Sequence, residues 1–167
     1  MQIRNAEKAD APRILEIIES AKASLRAMGV DQWQNGYPNL QSVQQDIAGG
    51  ICRVLEDSGV LLASAGIYVG REPTYDEIDG KWLTENVRYG VIHRIATAPE
   101  SRGRGAASAL IGFCAELCRA EGIASMRCDT HPQNKPMRRT LEKNGYLPCG
   151  MITLPDGSKR IAYEKIL

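Results

Sequence analysis

The chain has 167 residues and a mass of 18.3 kDa, with 43% hydrophobic and 25% charged residues. That composition suits one compact globular domain over residues 1–167 and excludes a disordered chain. The 21 basic and 20 acidic residues leave a charge of +1, which speaks against bulk nucleic-acid binding. The longest apolar run, Val60 to Ala63, is far too short to span a membrane. The first residues, Met1-Gln-Ile-Arg-Asn5, lack the apolar core of a secretory signal, so a cytoplasmic location is expected.

Residues 2–6 read as a first strand. Asp10 stands where it can cap a helix carrying Ile14, Ile17, Ile18, Ala21, Leu25 and Met28 at helical spacing, with Gly29 as its stop. The stretch 31–38 has no helical period and reads as a loop. Asn39 caps a short helix through Leu40, Val43 and Ile47, closed by Gly49-Gly50. Strands follow near 51–56 and 60–69, joined by a turn at Asp57-Ser-Gly59. Residues 70–88 form an insertion with one helical turn, and the acids Asp76, Glu77 and Asp79 fit a solvated turn.

A fourth strand runs from Tyr89 to Thr97. A helix follows from Gly105, with Ala106, Leu110, Phe113, Leu117 and Cys118 on one stripe and Gly122 at its end. The remainder reads as a strand at 124–129, a helix at 134–143, and strands at 146–152 and 160–166. The order implies a mixed sheet of seven strands with helices on both faces. A helix joins the fourth strand to the fifth, so these two are expected to be parallel. The five cysteines, an odd number, have no zinc-ligand spacing. No metal or disulfide is expected; Cys114 and Cys118, four residues apart on a helix, read as buried apolar groups.

The most informative segment is the strand, loop and helix of 91–110. Gly103, Gly105, Ala106 and Ala107 leave backbone N–H groups accessible at a helix N-terminus, flanked by Arg102 and Arg104. Such a site suits a phosphate-bearing ligand. The Lys of a Walker loop is missing, and so is the last Gly of a dinucleotide fingerprint. A tight turn into a buried helix is the structural alternative.

Arg102-x-x-Gly105-x-Ala107 resembles the Gln/Arg-x-x-Gly-x-Gly/Ala signature of the GCN5-related N-acetyltransferases (GNAT). Asn134-Lys-Pro-Met-Arg-Arg-Thr-Leu-Glu-Lys-Asn-Gly-Tyr146 resembles the Asn-x-x-Ala-x-x-x-Tyr-x-x-x-Gly-Phe segment of that family. The likeness is specific over 91–150. It implies the acyl-CoA N-acyltransferase fold, in which a bulge in the fourth strand splays it from the fifth. Acetyl-CoA is then the co-substrate. Its pantetheine arm would pair with Ile95, Ala96 and Thr97, and its pyrophosphate would lie on Arg102, Gly103, Arg104, Gly105, Ala106 and Ala107. Asn134 would hold the pantetheine region, and Lys135, Arg138, Arg139 and Lys143 would form a basic rim.

The implied reaction is direct attack of a primary amine, on a small molecule or a peptide, upon the acetyl thioester. The amine must lose a proton, which needs a base. Of the two histidines, His93 shares strand parity with Ile95 and Thr97, and some relatives that acetylate arylalkylamines carry a histidine at this strand position. His131 follows the fifth strand and would bind substrate, relay protons or cap the next helix. The family's usual tyrosine acid falls on Leu141, which cannot donate a proton; Tyr146, Cys149, His131 or solvent would replace it. Trp33, Gln34 and Tyr37, with Tyr75 and Trp82 as further candidates, would line the acceptor pocket. The competing reading is an acyl-CoA sensor of the same fold without turnover. Nucleic-acid and membrane partners are not expected, and the sequence leaves a homodimer open.

Overall fold

The computed structural model describes residues 1–167. Eight strands alternate with four helices: β1 (Gln2–Asn5), α1 (Ala11–Ala27), α2 (Leu40–Ala48), β2 (Cys52–Asp57), β3 (Val60–Gly70), β4 (Asp79–Gly80), β5 (Tyr89–Thr97), α3 (Ala106–Ala120), β6 (Ser125–Thr130), α4 (Lys135–Lys143), β7 (Leu147–Thr153) and β8 (Lys159–Ile166). The strands hydrogen-bond in the order β1-β2-β3-β5-β6-β8-β7-β4. The expected seven strands are all present. The eighth, β4, is a two-residue pairing of Asp79 and Gly80 with Met151 and Gly150, too short to leave a periodic signal. The expected fourth strand is therefore β5. It pairs in parallel with β6 through Gly90↔Met126 and Val91↔Arg127, and this ladder goes no further along either strand.

The chain forms two compact units, Met1–Ile67 with His93–Phe113, and Tyr68–Ile92 with Cys114–Leu167. In the first, α1 presents Ile14, Ile17 and Ile18 to Val43 of α2, Val54 of β2 and Ala96 of β5. Burying each such branched aliphatic side chain stabilises the fold by about 1.5–3 kcal/mol. Asn39 caps α2 as its sequence position requires: its Oδ1 accepts the Ser42 N–H at 3.0 Å, and Ser42 Oγ accepts the Asn39 N–H at 2.9 Å. Asp10 does not cap α1. Its carboxylate accepts the Glu7 N–H at 2.7 Å and pairs with Arg4, closing a 3-10 turn at Lys8–Asp10.

The second unit is built around a buried charge. The Arg127 guanidinium carbon lies 4.1 Å from the ring centroids of both Trp82 and Tyr89. Its Nε donates to Glu164, which has no exposed surface, and its Nη2 donates to the Thr84 carbonyl at 2.8 Å. Glu164 also accepts from the Leu83 N–H at 2.6 Å and from the hydroxyls of Ser125 and Thr84. These bonds anchor the 70–88 segment, whose one turn, Pro73–Tyr75, falls where the sequence places it. Tyr75 and Trp82 are consumed by this core, with rings 5.3 Å apart and the Trp82 Nε1–H bonded to the Tyr75 carbonyl at 2.9 Å. They do not form the acceptor wall that their position in the insertion had suggested.

Burial pushes the Glu164 carboxyl up, but the hydrogen bonds from Ser125 and Thr84 and the charge of Arg127 outweigh it, so the group titrates below the ordinary glutamate range. A carboxyl depressed on folding stabilises above its unfolded value of about 4.3, and that stability is lost as pH falls through the folded value. Glu164→Gln is expected to lower stability by about 3 kcal/mol at neutral pH, since Arg127 loses its counter-charge. In urea titrations the gap between variant and wild type is expected to narrow on acidification below about pH 4. A gap that stays constant with pH would contradict this role.

Candidate active site

Within β5, Arg94 has φ of 52°, a left-handed conformation in the middle of a strand. For a residue with a Cβ this costs on the order of 1–2 kcal/mol, so its surroundings must hold it there. They do so through the side chain. Arg94 Nη2 donates to Asp46 of α2 at 2.6 Å, and Nη1 donates to the Tyr37 hydroxyl. Gly66 of β3 makes the room: a Cβ there would stand 3.2 Å from Arg94 Nη2 and 3.7 Å from Asp46 Oδ2. Burial disfavours the charge on Arg94, but Tyr37 and Asp46 outweigh it and keep the guanidinium protonated. Arg94 Nε is buried without a hydrogen-bond partner.

The pair closes one side of a small pocket whose walls include Ile14 and Ile18 of α1, Val43 of α2 and Cys52 of β2. Burial first, then the Asp46 charge, pushes the Cys52 thiol up to about 12, so it stays neutral.

The loop after β5 belongs to the same unit. A 3-10 turn at Pro99–Ser101 leads into Arg102, and Gly103 and Gly105 take φ of 75° and 76° before α3 begins at Ala106. A Cβ at either glycine would meet nothing within 4 Å, so the backbone is glycine-requiring by conformation and open to approach. Arg102 Nη2 donates to Ser24 Oγ at 2.8 Å, and Arg104 pairs with Asp57 at 2.8 Å on the surface. A strand with one left-handed residue, a left-handed glycine loop and a helix N-terminus thus follow one another over 94–107.

The Acetyltransferase (GNAT) family description matches residues 14–146. The chain belongs to the GNAT acetyltransferase family. It is 30% identical over 113 residues to the S-alkylcysteine N-acetyltransferase of Bacillus subtilis (strain 168), a match covering 68% of this chain and 58% of that relative. A GNAT-family acetyltransferase structure from Streptococcus agalactiae 2603 superposes with a TM-score of 0.87 at 40% identity, covering 99% of this chain and 95% of the other. A ribosomal-protein-alanine N-acetyltransferase structure from Brucella melitensis shares the fold, with a TM-score of 0.70 at 18% identity and all of both chains covered.

Ile95 and Ala96 are buried in β5, Thr97 is half-buried, and Arg102, Gly103, Arg104 and Gly105 are exposed ahead of Ala106 and Ala107. His93 is half-buried, next to the left-handed Arg94. Arg94, Ala96 and Ala98 all pack toward α1 and α2. Of the three acceptor candidates, only Tyr37 reaches the Arg94 pair. Gln34 staples its loop to α1 by donating to the Lys22 and Gln32 carbonyls, and Trp33 packs on the first unit's core.

In the second unit, Asn134 caps α4, its Oδ1 accepting the Met137 N–H at 3.2 Å. His131 Nδ1 accepts the Gln133 N–H at 3.1 Å, a helix-entry role. Arg138 of the expected basic rim donates to the Pro132 carbonyl and the Tyr163 hydroxyl. Leu141 and Tyr146 are fully buried. Burial pushes the Tyr146 phenol well up, and burial likewise raises the Cys149 thiol, which leaves both poor proton donors.

Asp46 and Arg94 are the site residues that sequence reading missed. The available signal was an arginine inside the apolar run Val91-Ile-His-Arg-Ile-Ala96, a charge in a strand with no solvent face to spare. Asp46→Asn is expected to destabilise the protein by about 2 kcal/mol, because a partly buried guanidinium loses its counter-charge while its strained backbone remains. The check is the urea midpoint; an unchanged midpoint would remove the pair from the support of the bulge.

Proposed function

We propose that this chain is an acetyl-CoA-dependent N-acetyltransferase acting on a primary amine, with residues 1–167 serving as one catalytic domain. The observation carrying the reading is the left-handed residue in β5 followed by the open glycine loop at the start of α3. The name of the Bacillus relative supports a small amino acid as the acceptor class.

The residues fit the co-substrate. In this reading, the loop's open backbone and the α3 N-terminus hold the pyrophosphate, with Arg102 and Arg104 as charged flanks. Exchanging the exposed Asp57 partner of Arg104 for a phosphate costs little, because surface ion pairs contribute at most about 1 kcal/mol. Backbone groups of Ile95, Ala96 and Thr97 pair with the pantetheine arm, since a bulge frees strand N–H and C=O groups from the ladder. When bound, acetyl-CoA supplies an acetyl thioester that a neutral amine opens directly.

His93 is assigned as the base that takes the amine proton, directly or through a held water. A primary alkylammonium has a pKa of about 10, so few acceptor molecules are ready at neutral pH. Backbone N–H groups beside the bulge polarise the carbonyl oxygen as charge develops on it. With Leu141 apolar and Tyr146 sealed in the core, the departing thiolate takes its proton from solvent. A free thiol has a pKa of about 8.5, so that departure needs no strong acid.

Two measurements test this reading. In calorimetry, Gly105→Val is expected to weaken CoA binding far more than Arg104→Ala, since the first closes the backbone surface and the second removes one exposed charge. Equal effects would move the pyrophosphate off this loop. His93→Ala is expected to lower kcat by about 100-fold and to leave CoA affinity nearly unchanged. Acyl-CoA binding by the wild type without turnover on any amine would favour the sensor reading.

A further inference from the structure

We infer that Asp129, held in place by the hydroxyl of Tyr75, binds the ammonium of the acceptor and so selects alkyl amines, cationic at neutral pH, over aryl amines, which are uncharged there. The inference rests on the acetyltransferase reading and names the residue of the second unit that meets its acceptor.

The first observation is the place of Asp129 in the sheet. β6 stays paired with β8 as far as Thr130↔Ile161, but its ladder to β5 ends at Val91↔Arg127. Asp129 stands two residues beyond that last rung and, by strand alternation, on the face that carries Arg127. It is the first side chain on that face after β5 and β6 cease to pair.

The second is how the carboxylate is held. The Tyr75 hydroxyl donates to Asp129 Oδ1 at 2.7 Å. The Tyr75 side chain is 1% exposed and packs between Trp82 and Tyr89, with ring centroids 5.3 and 6.3 Å away. Burial first, then the charge of Asp129, pushes the phenol well up, so it keeps its proton and stays a donor. A carboxylate has about four lone-pair positions, and Tyr75 takes one. A donor locked in the core fixes the orientation of the carboxylate in advance, so a ligand pays little side-chain entropy to use it. Tyr75 is thus a positioning residue and does not itself touch the acceptor.

The third is what surrounds it. Glu164 is sealed among Arg127, Ser125, Thr84 and the Leu83 N–H, whereas Asp129 is half-buried. Glu72, the other carboxylate whose charge reaches Tyr75, accepts the Tyr68 hydroxyl at 2.7 Å and the Thr74 hydroxyl at 2.9 Å. The Arg127 guanidinium on the same face is taken up by Glu164 and the Thr84 carbonyl. Of these three carboxylates, Asp129 is the one at the end of the β5–β6 ladder. An ammonium brings three donors and a full charge to such a group, and an uncharged aryl amine brings weaker donors and no charge. An alkyl amine, with a pKa of about 10, arrives almost wholly as ammonium, so a group that receives this form must act before any base removes the proton.

The experiment surveys primary alkyl and aryl amines in steady-state acetyl transfer by the wild-type protein, following release of the CoA thiol, and then takes the best alkyl acceptor through variants of the full chain. Asp129→Asn keeps an oxygen for the Tyr75 hydroxyl and removes the charge. It is expected to raise KM for that amine by about tenfold or more while kcat changes by less than about threefold. Asp129→Glu, which keeps the charge, is expected to recover part of the loss. Should Asp129→Asn fail to fold, Tyr75→Phe is expected to raise the same KM several-fold, because the carboxylate is no longer held. An unchanged KM, whatever happens to kcat, overturns the inference while the acetyltransferase reading stands, and so does a wild-type protein that prefers aryl amines. If no amine of any class is acetylated, the reading beneath it fails as well.

Discussion

The left-handed backbone of Arg94 is the constraint on which the first unit's site is arranged. A strand residue does not adopt φ of 52° for its own comfort. The conformation persists because a salt bridge to Asp46, a hydrogen bond to Tyr37 and the absence of a side chain at Gly66 hold the guanidinium in one place. The pairing of β5 with β6 has already ended at Val91, so the backbone beyond it on that side is not committed to β6. A single side chain therefore links α2 and the loop before it to the stretch of β5 that leads into the glycine loop.

The second unit solves a different problem with similar means. An insertion poor in regular structure has to be fixed to a sheet, and Arg127 does this by stacking between Trp82 and Tyr89 while sharing Glu164 with Leu83 and Thr84. In both units an arginine is matched by a carboxylate, with Arg127 buried and Arg94 half-buried. In the second, the pair is sealed and every contact is structural. In the first, the pair lines a pocket, one nitrogen lacks a partner, and one of its ligands is an exposed tyrosine.

Much of the fold was legible in the sequence because it rests on local signals. Periodic apolar residues and caps such as Asn39 specify α1 and α2, and Gly103 and Gly105 announced the loop. The two-residue β4 was not legible, since two residues carry no periodicity. Asp10 was misread because its carboxylate prefers Arg4 and the Glu7 N–H, a competition set by tertiary placement. The site divided in the same way. The glycine loop at 102–107 is contiguous and could be read. Asp46, Gly66 and Arg94 lie far apart in the chain and converge only through packing. Trp33, Gln34 and Tyr37 looked equivalent, yet only the hydroxyl of Tyr37 meets Arg94.

The central claim is that the bulged strand and the glycine loop together receive acetyl-CoA. Backbone amide shifts on titration of the wild-type protein with acetyl-CoA test it directly. The largest changes are expected at Ile95, Ala96 and Thr97 and at Gly103 to Ala107. Saturating shifts elsewhere in the chain, with these amides unmoved, would contradict it.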